Sequence, residues 1–361
     1  MKFLTDLGLY IHVPFCEKRC AYCDFYSGVF TQQMVDNYTQ SLVKEIKKWG
    51  GEITLPINTI YFGGGTPSLL NERLIAVLKE IRQNFTVTEN AEITLELNPQ
   101  PNIENVLENA KKAGVNRISI GVQTADNEKL KLLGRTHTKQ DAENAYFTAR
   151  KLGFSNISLD LMIGLPKSNL QTLKKDLEFL VNLNPEHISC YILKIEQNTA
   201  FSKMKIDLPD DDNVSDQYLF MCEHLKNKGY LHYEISNFCK AGLESKHNLK
   251  YWNCQEYLGI GPSAHSYYLG KRFYYPKDLK AFLNSPQTVF DAFGGDKNEK
   301  IMLKLRLKEG ISFDILSKKA QQKCELFTKN GLGEISNNRF SLTDSGMLVS
   351  NAIITEILEV L

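Results

Sequence analysis

No stretch of this 361-residue chain approaches the run of about 18 apolar residues that a membrane-spanning helix requires. Its first residues, Met1 to Tyr10, hold neither a cationic segment leading into an apolar core nor a small-residue cleavage pattern, so no secretory leader is expected. A helical membrane span is thereby excluded, the cytoplasm is the expected location, and only peripheral membrane contact stays open. Charge of one sign is lacking too: 43 Lys and Arg stand against 42 Asp and Glu, a net +1. No global field favours nucleic acid, and no nucleic-acid partner is expected. Internal repeats and low-complexity tracts are missing, which excludes solenoids and disordered arrays. What is present is a composition of 42% apolar and 24% charged residues, sufficient for a core. At about 150 residues per domain, the length fits one large domain and a smaller one.

Short β-branched runs alternate with helix-period stretches through the first half of the chain, the pattern of strand-helix units around a parallel sheet. Six strands are expected, at 9–13, 59–62, 92–97, 117–121, 157–163 and 187–193. Met34, Tyr38, Leu42 and Ile46 mark the first helix. Ser168 with Gln171 forms a capping-box pattern ahead of Leu170, Leu173, Leu177 and Leu180, and Gly114 and Gly153 sit where helices end. Six units are too few for a closed eightfold barrel. The expected fold is α/β, a partial (β/α)6 barrel that binds ligands at the carboxyl ends of its strands. Near Pro209 the periodicity changes. A helix over 212–228 is followed by an irregular region rich in Gly, Asn and Tyr, and then by a strand signal at Phe340–Thr343 and a final helix over 347–358. The expected domains are 1–208, the partial barrel; 209–295, an accessory region; and 296–361, a smaller, mostly helical, winged-helix-like unit.

The chemistry concentrates in one loop. Directly after the first strand, Cys16, Cys20 and Cys23 form a C-x3-C-x2-C array, and three thiolates on a short loop can hold three corners of a [4Fe-4S] cube, leaving one iron open. A zinc knuckle completed by a distant fourth ligand is the alternative. Cys190, Cys222, Cys239, Cys254 and Cys324 have no ligand-like spacing and read as small buried apolar residues. At the ends of later strands, Gly63, Gly64 and Gly65 allow backbone to approach a ligand closely. Glu96, Gln123 and Asp160 offer polar groups there, and Arg135 a permanent planar cation for a carboxylate.

The array, with the aromatic Tyr22 before its third cysteine, resembles the radical S-adenosylmethionine (SAM) enzymes. Five further motifs resemble the oxygen-independent coproporphyrinogen oxidase branch, in order through nearly the whole chain: Gly63-Gly64-Gly65-Thr66-Pro67-Ser68, Glu96-Leu97-Asn98-Pro99, Ser119-Ile120-Gly121-Val122-Gln123, Leu132-Leu133-Gly134-Arg135-Thr136-His137 and Asp160-Leu161-Met162-Ile163-Gly164-Leu165-Pro166. The resemblance implies a [4Fe-4S] cluster on Cys16, Cys20 and Cys23, with SAM contacted by Tyr10, Tyr22, Gly64, Gly65, Thr66, Glu96, Gln123, Arg135 and Asp160. It also implies a low-potential electron donor of flavodoxin or ferredoxin type, with reductive cleavage of SAM if the family chemistry is kept.

Two features depart from the oxidases. Phe25 stands where they carry a further cysteine, and the first strand begins too early to leave room for their longer N-terminal arm. Downstream, His247-Asn248-Leu249-Lys250-Tyr251-Trp252 resembles the HemW-type haem-chaperone branch, which implies haem as a third group and apo-haemoproteins as recipients. His247 is then the candidate axial ligand, Tyr251 and Trp252 its packing partners, and His265 a second choice. The leading expectation is a haem chaperone on a radical SAM scaffold. The alternative is an enzyme, a coproporphyrinogen III dehydrogenase that decarboxylates two propionates to vinyls, and a structural zinc protein is a third reading.

Overall fold

A computed structural model describes residues 6–361. Its centre is built from six parallel strands: β1 (Leu7–Val13), β2 (Ile57–Gly64), β3 (Val87–Leu97), β4 (Arg117–Gln123), β5 (Ile157–Ile163) and β6 (His187–Ile192), adjacent in chain order. Helices return the chain between them: α1 (Gln32–Glu52), α2 (Arg73–Asn84), α3 (Ile103–Ala113), α4 (Asn127–Leu132) with α5 (Lys139–Lys151), and α6 (Leu170–Leu183). The strands are covered on both faces, so they read as continuous apolar runs; every residue of β4 is buried. In α1, Val35, Tyr38, Leu42 and Ile46 turn inward at helical spacing while Thr31 caps the N-terminus by accepting from the Met34 N–H. Gly114 ends α3 in the left-handed conformation, as its position in the sequence implies. The cap of α6 lies one residue later than expected. Asn169, with Thr172, forms the capping box in place of Ser168 and Gln171, while the Ser168 hydroxyl donates to the Gln217 side chain.

The region after Pro209 is more regular than the sequence implies. Following α7 (Asp211–Asn227) come β7 (Leu231–Glu234), β8 (Asn237–Cys239), α8 (Lys246–Trp252), β9 (Tyr257–Ile260), β10 (His265–Tyr268), β11 (Lys271–Tyr274), α9 (Leu279–Asn284) and β12 (Val289–Phe293). These six strands extend the same sheet on both sides, giving the order β12-β11-β10-β9-β1-β2-β3-β4-β5-β6-β8-β7. β9 runs parallel to β1, with Gly8 opposite Tyr257 and Ile11 opposite Ile260, whereas β8 runs antiparallel to β6. Strands of three to five residues are too short for an alternating pattern to register.

The C-terminal unit comprises α10 (Lys297–Lys304), β13 (Ile311–Ser312), α11 (Lys318–Lys329), β14 (Gly333–Ser336), β15 (Arg339–Leu342), α12 (Asp344–Leu348) and α13 (Ser350–Leu358). Its three strands form a separate small antiparallel sheet in the order β13-β15-β14, and the expected last helix is two, broken at Val349. Asp344 at the head of α12 ties this unit to the barrel side. It accepts from Nδ1 of His232 at 3.0 Å and from the ammonium groups of Lys308 at 2.6 Å and Lys226. No helix among the described residues is long and apolar enough to cross a membrane.

Candidate functional site

Parallel strands in consecutive order bring their carboxyl ends to one rim, and there lies a cavity of about 490 Å³. The loop after β1 supplies Cys16, Cys20 and Cys23; the turn after β2 supplies Gly64, Gly65 and Thr66; β3 supplies Glu96; β4 ends on Gln123; β5 contributes Asp160. Tyr22 and Arg135 complete the set, so eight of the nine residues expected around SAM face one space together with the three cysteines.

Backbone hydrogen bonds fix the cysteine loop. The Cys16 N–H donates to the Gly28 carbonyl, the Ala21 N–H to Leu133, and the Phe201 N–H to Ala21. The glycine turn is stitched to the same loop, since the Gly65 N–H reaches the Val13 carbonyl at 2.8 Å and the Thr66 N–H the Phe15 carbonyl at 2.7 Å. A side chain at Gly65 would put Cβ 2.4 Å from the Phe15 carbonyl oxygen, which explains glycine at that position. The Thr66 hydroxyl lies 3.6 Å from Sγ of Cys16 and accepts from the Asn98 amide at 3.0 Å. Burial, followed by the neighbouring Cys20 and Cys16 sulfurs, pushes the Cys23 thiol up to about 11, so a cation beside Cys23 is what would favour its thiolate. Among the described residues, one trio of side chains has its ligand atoms all within 4.8 Å, and it is Cys222, His232 and Asp344 rather than these cysteines.

The floor is acidic. Burial raises Glu96 to about 7, with Asp160 nearby adding to the shift and a 2.7 Å hydrogen bond from the Tyr61 hydroxyl opposing it. Asp160 is also raised, chiefly by burial, although Ser119 donates to it at 3.1 Å. Gln123, held at a positive φ of 69°, accepts from the Tyr191 hydroxyl at 2.6 Å. Arg135 donates to Asn98, and its Nε is buried without a partner. An unspent guanidinium donor beside buried carboxyls and bare glycine backbone suits a ligand that carries an amine, a carboxylate and a diol.

Tyr10 is the expected SAM contact that the structure sets elsewhere. It lines a second cavity of about 350 Å³ with His12, Phe25, Tyr251 and His265. His247 faces neither cavity. It is fully buried on α8, Nδ1 2.8 Å from the Thr59 hydroxyl and Nε2 2.9 Å from the Tyr251 hydroxyl, so both ring nitrogens are engaged within the protein. Trp252 turns toward the C-terminal unit, under the Arg306 guanidinium. Sequence reasoning missed Tyr61, Asn98, Ser119, Ser189 and Tyr191 among the cavity residues. Asn98 and Ser119 lie inside motifs already quoted, and the rule that strand ends carry the site would have found them. Of the five cysteines read as core, Cys190, Cys222, Cys239 and Cys324 are buried, while Cys254 is half-buried.

Comparison with known proteins agrees with this architecture. Residues 10–180 match the radical SAM superfamily, and residues 297–349 match the HemN C-terminal domain. The heme chaperone HemW of Lactococcus lactis is 33% identical over 97% of this chain and 96% of its own. The heme chaperone HemW of Escherichia coli is 41% identical over 73% of this chain and 70% of its own. The solved structure of coproporphyrinogen III oxidase (HemN) from Escherichia coli, a radical SAM enzyme, superposes with a TM-score of 0.84 over 99% of this chain and 91% of its own. Its 24% identity makes that a likeness of fold. The chain belongs to the HemW family of the radical SAM superfamily.

Proposed function

We propose that this protein is a haem chaperone: it binds haem and a [4Fe-4S] cluster and delivers the haem to apo-haemoproteins. The reading is carried by the likeness to heme chaperone HemW over nearly the whole chain. Phe25 supports it from the structure. Where an oxidase-type array offers a further thiol, this chain presents an apolar ring, 63% exposed, on the rim of both cavities.

Cys16, Cys20 and Cys23 would hold the cluster, and the cluster would supply an open iron site together with low-potential electron chemistry. Tyr22, Gly64, Gly65, Thr66, Glu96, Gln123, Arg135 and Asp160 would bind and orient SAM: the glycines by admitting its amino-acid end, Arg135 by pairing its carboxylate, and Glu96 and Asp160 by accepting from its amine and ribose hydroxyls. Tyr10 would support that site indirectly, through Tyr61, whose ring lies 6.2 Å from its own and whose hydroxyl reaches Glu96. A cytoplasmic location and a flavodoxin- or ferredoxin-type donor fit the same reading.

The test uses anaerobically reconstituted protein with measured iron and sulfide. Loaded with hemin, it is expected to transfer haem to an apo-haemoprotein and to leave coproporphyrinogen III unchanged in the presence of SAM and a low-potential reductant. Sustained decarboxylation under conditions where an oxidase control works would replace this reading with that of an oxidative decarboxylase.

A further inference from the structure

We propose that the second cavity is the haem seat and that His265 is the ligand to the haem iron; this rests on the haem-chaperone reading above. The first observation concerns availability. Ligation needs a neutral imidazole with a free nitrogen lone pair within reach of solvent. Of the seven histidines, His12, His187 and His247 have both ring nitrogens hydrogen-bonded inside the protein. His137 and His232 are buried, with one nitrogen each bound to the Val122 carbonyl and to Asp344, and Nε2 of His224 is buried 3.5 Å from the Glu178 carboxylate, out of reach of solvent. His265 alone is exposed, and no side-chain or backbone group hydrogen-bonds to its ring among the described residues. Burial of part of the ring, with Lys277 and Arg272 opposing protonation and Asp291 favouring it, lowers its pKa and keeps it neutral at pH 7. Stacking on Tyr274, at 5.2 Å between ring centroids, holds its plane.

The second observation is what surrounds it. The cavity of about 350 Å³ is walled by Tyr10, Tyr26, Tyr251, Tyr257 and Phe25. That volume lies near the lower end of the roughly 300–1,000 Å³ found for small-molecule sites, so an open seat of this size grips one face and edge of a flat macrocycle. Such a partial grip suits a cargo that must leave again. Aromatic walls offer π surface to the porphyrin, and the exposed ammonium of Lys277 offers a cation for a propionate. Asp24, also on the rim, disfavours a propionate on its side and so fixes which way round the macrocycle lies. Both Asp24 and Phe25 line the cluster cavity as well, so the haem seat and the cysteine loop share a wall. The H-N-x-x-Y-W segment enters through Tyr251, while its histidine stands behind that ring as a support.

The experiment titrates hemin, and separately iron-free protoporphyrin IX, into the reconstituted full-length protein, with iron, sulfide and thermal melting measured for every variant. His265→Ala is expected to weaken hemin binding roughly tenfold or more, to change the ligand-sensitive visible bands, and to leave protoporphyrin binding and cluster content unchanged. Added imidazole is expected to restore the wild-type spectrum. Lys277→Glu is expected to weaken both porphyrins several-fold, and Tyr251→Phe to keep the wild-type ligation bands. Wild-type spectra and affinity in His265→Ala, or equal losses for hemin and protoporphyrin, would overturn the assignment while leaving the haem reading in place. Failure of the wild-type protein to bind hemin would instead overturn that reading.

Discussion

Glu96 shows how a single buried carboxyl couples the strand-end cavity to pH. Its folded-state value of about 7 lies above the ordinary 4.5, with burial as the largest cause. A carboxyl raised on folding takes up protons as the chain folds, so its contribution to stability is complete below about 4.5 and is lost as pH rises toward 7 and beyond. Glu96→Gln removes that titration and keeps an oxygen to accept from the Tyr61 hydroxyl. In ligand-free protein the variant is expected to gain on the wild type by on the order of 3 kcal/mol between pH 4.5 and 8. Denaturant unfolding across that range measures it, and parallel stability curves for the two proteins would refute the raised carboxyl. The cysteines make the complementary case. Cys16→Ala, Cys20→Ala and Cys23→Ala are each expected to lose bound iron and acid-labile sulfide, and full complements in all three would dismiss the cluster assignment. The sequence suggests that assignment because three soft ligands within eight residues have few other uses. The place of His247 was not legible there, because a histidine beside aromatics has the same sequence signature whether its nitrogens are free or spent.

Among the elements, α8 explains what that histidine does. Glu92, near the middle of β3, accepts from the N–H groups of Lys246 and His247, satisfying donors that the start of a helix leaves open. Lys250 reaches the Asp6 carbonyl at 2.7 Å. Gly8 on β1 makes the approach feasible, since a Cβ there would stand 2.8 Å from the Lys250 side chain and 3.2 Å from the His247 ring. The imidazole stacks on Tyr61 at 5.2 Å and joins the Thr59 and Tyr251 hydroxyls. His247→Ala leaves two hydroxyls short of a partner and a void between them. It is expected to cost about 2–4 kcal/mol in unfolding free energy, with the ligation bands of bound hemin unchanged. A variant as stable as the wild type with altered bands would make His247 the iron ligand after all. The six barrel strands and their helices could be read because long apolar runs alternate with helical periodicity. β7 to β12 could not: β8 joins β6 across about fifty residues and β9 joins β1 across about two hundred and fifty, partners that only the fold brings together, and the other four are short strands added outward from these two.

Across the whole molecule, the C-terminal unit shares one continuous apolar cluster with the barrel and is tied to it by charge at Asp344. Asp344, on α12, accepts from His232 on β7, from Lys226 on α7 and from Lys308 in the turn before β13. A carboxylate only accepts, so Nδ1 of His232 carries the proton, and burial keeps that ring neutral despite the pull of Asp344. Burial alone would raise Asp344, but the hydrogen bonds from His232, Lys226 and Lys308 outweigh it and hold the carboxyl far below its ordinary 3.8. For a carboxyl depressed on folding, stability is present above the unfolded value and drains away as pH falls below it. Asp344→Asn is therefore expected to cost about 1–2 kcal/mol at pH 6–8, a figure discounted for the solvent that reaches the group. The difference from wild type is expected to shrink as the pH falls below about 4. Hydrogen exchange should find the loosening in residues 296–361 and in α7, while the iron and sulfide content of reconstituted protein is expected to match the wild type. Equal protection of 296–361 in both proteins at pH 7 would mean that apolar packing alone seats the unit. The barrel and the C-terminal unit would then form one cooperative body with no electrostatic seam between them.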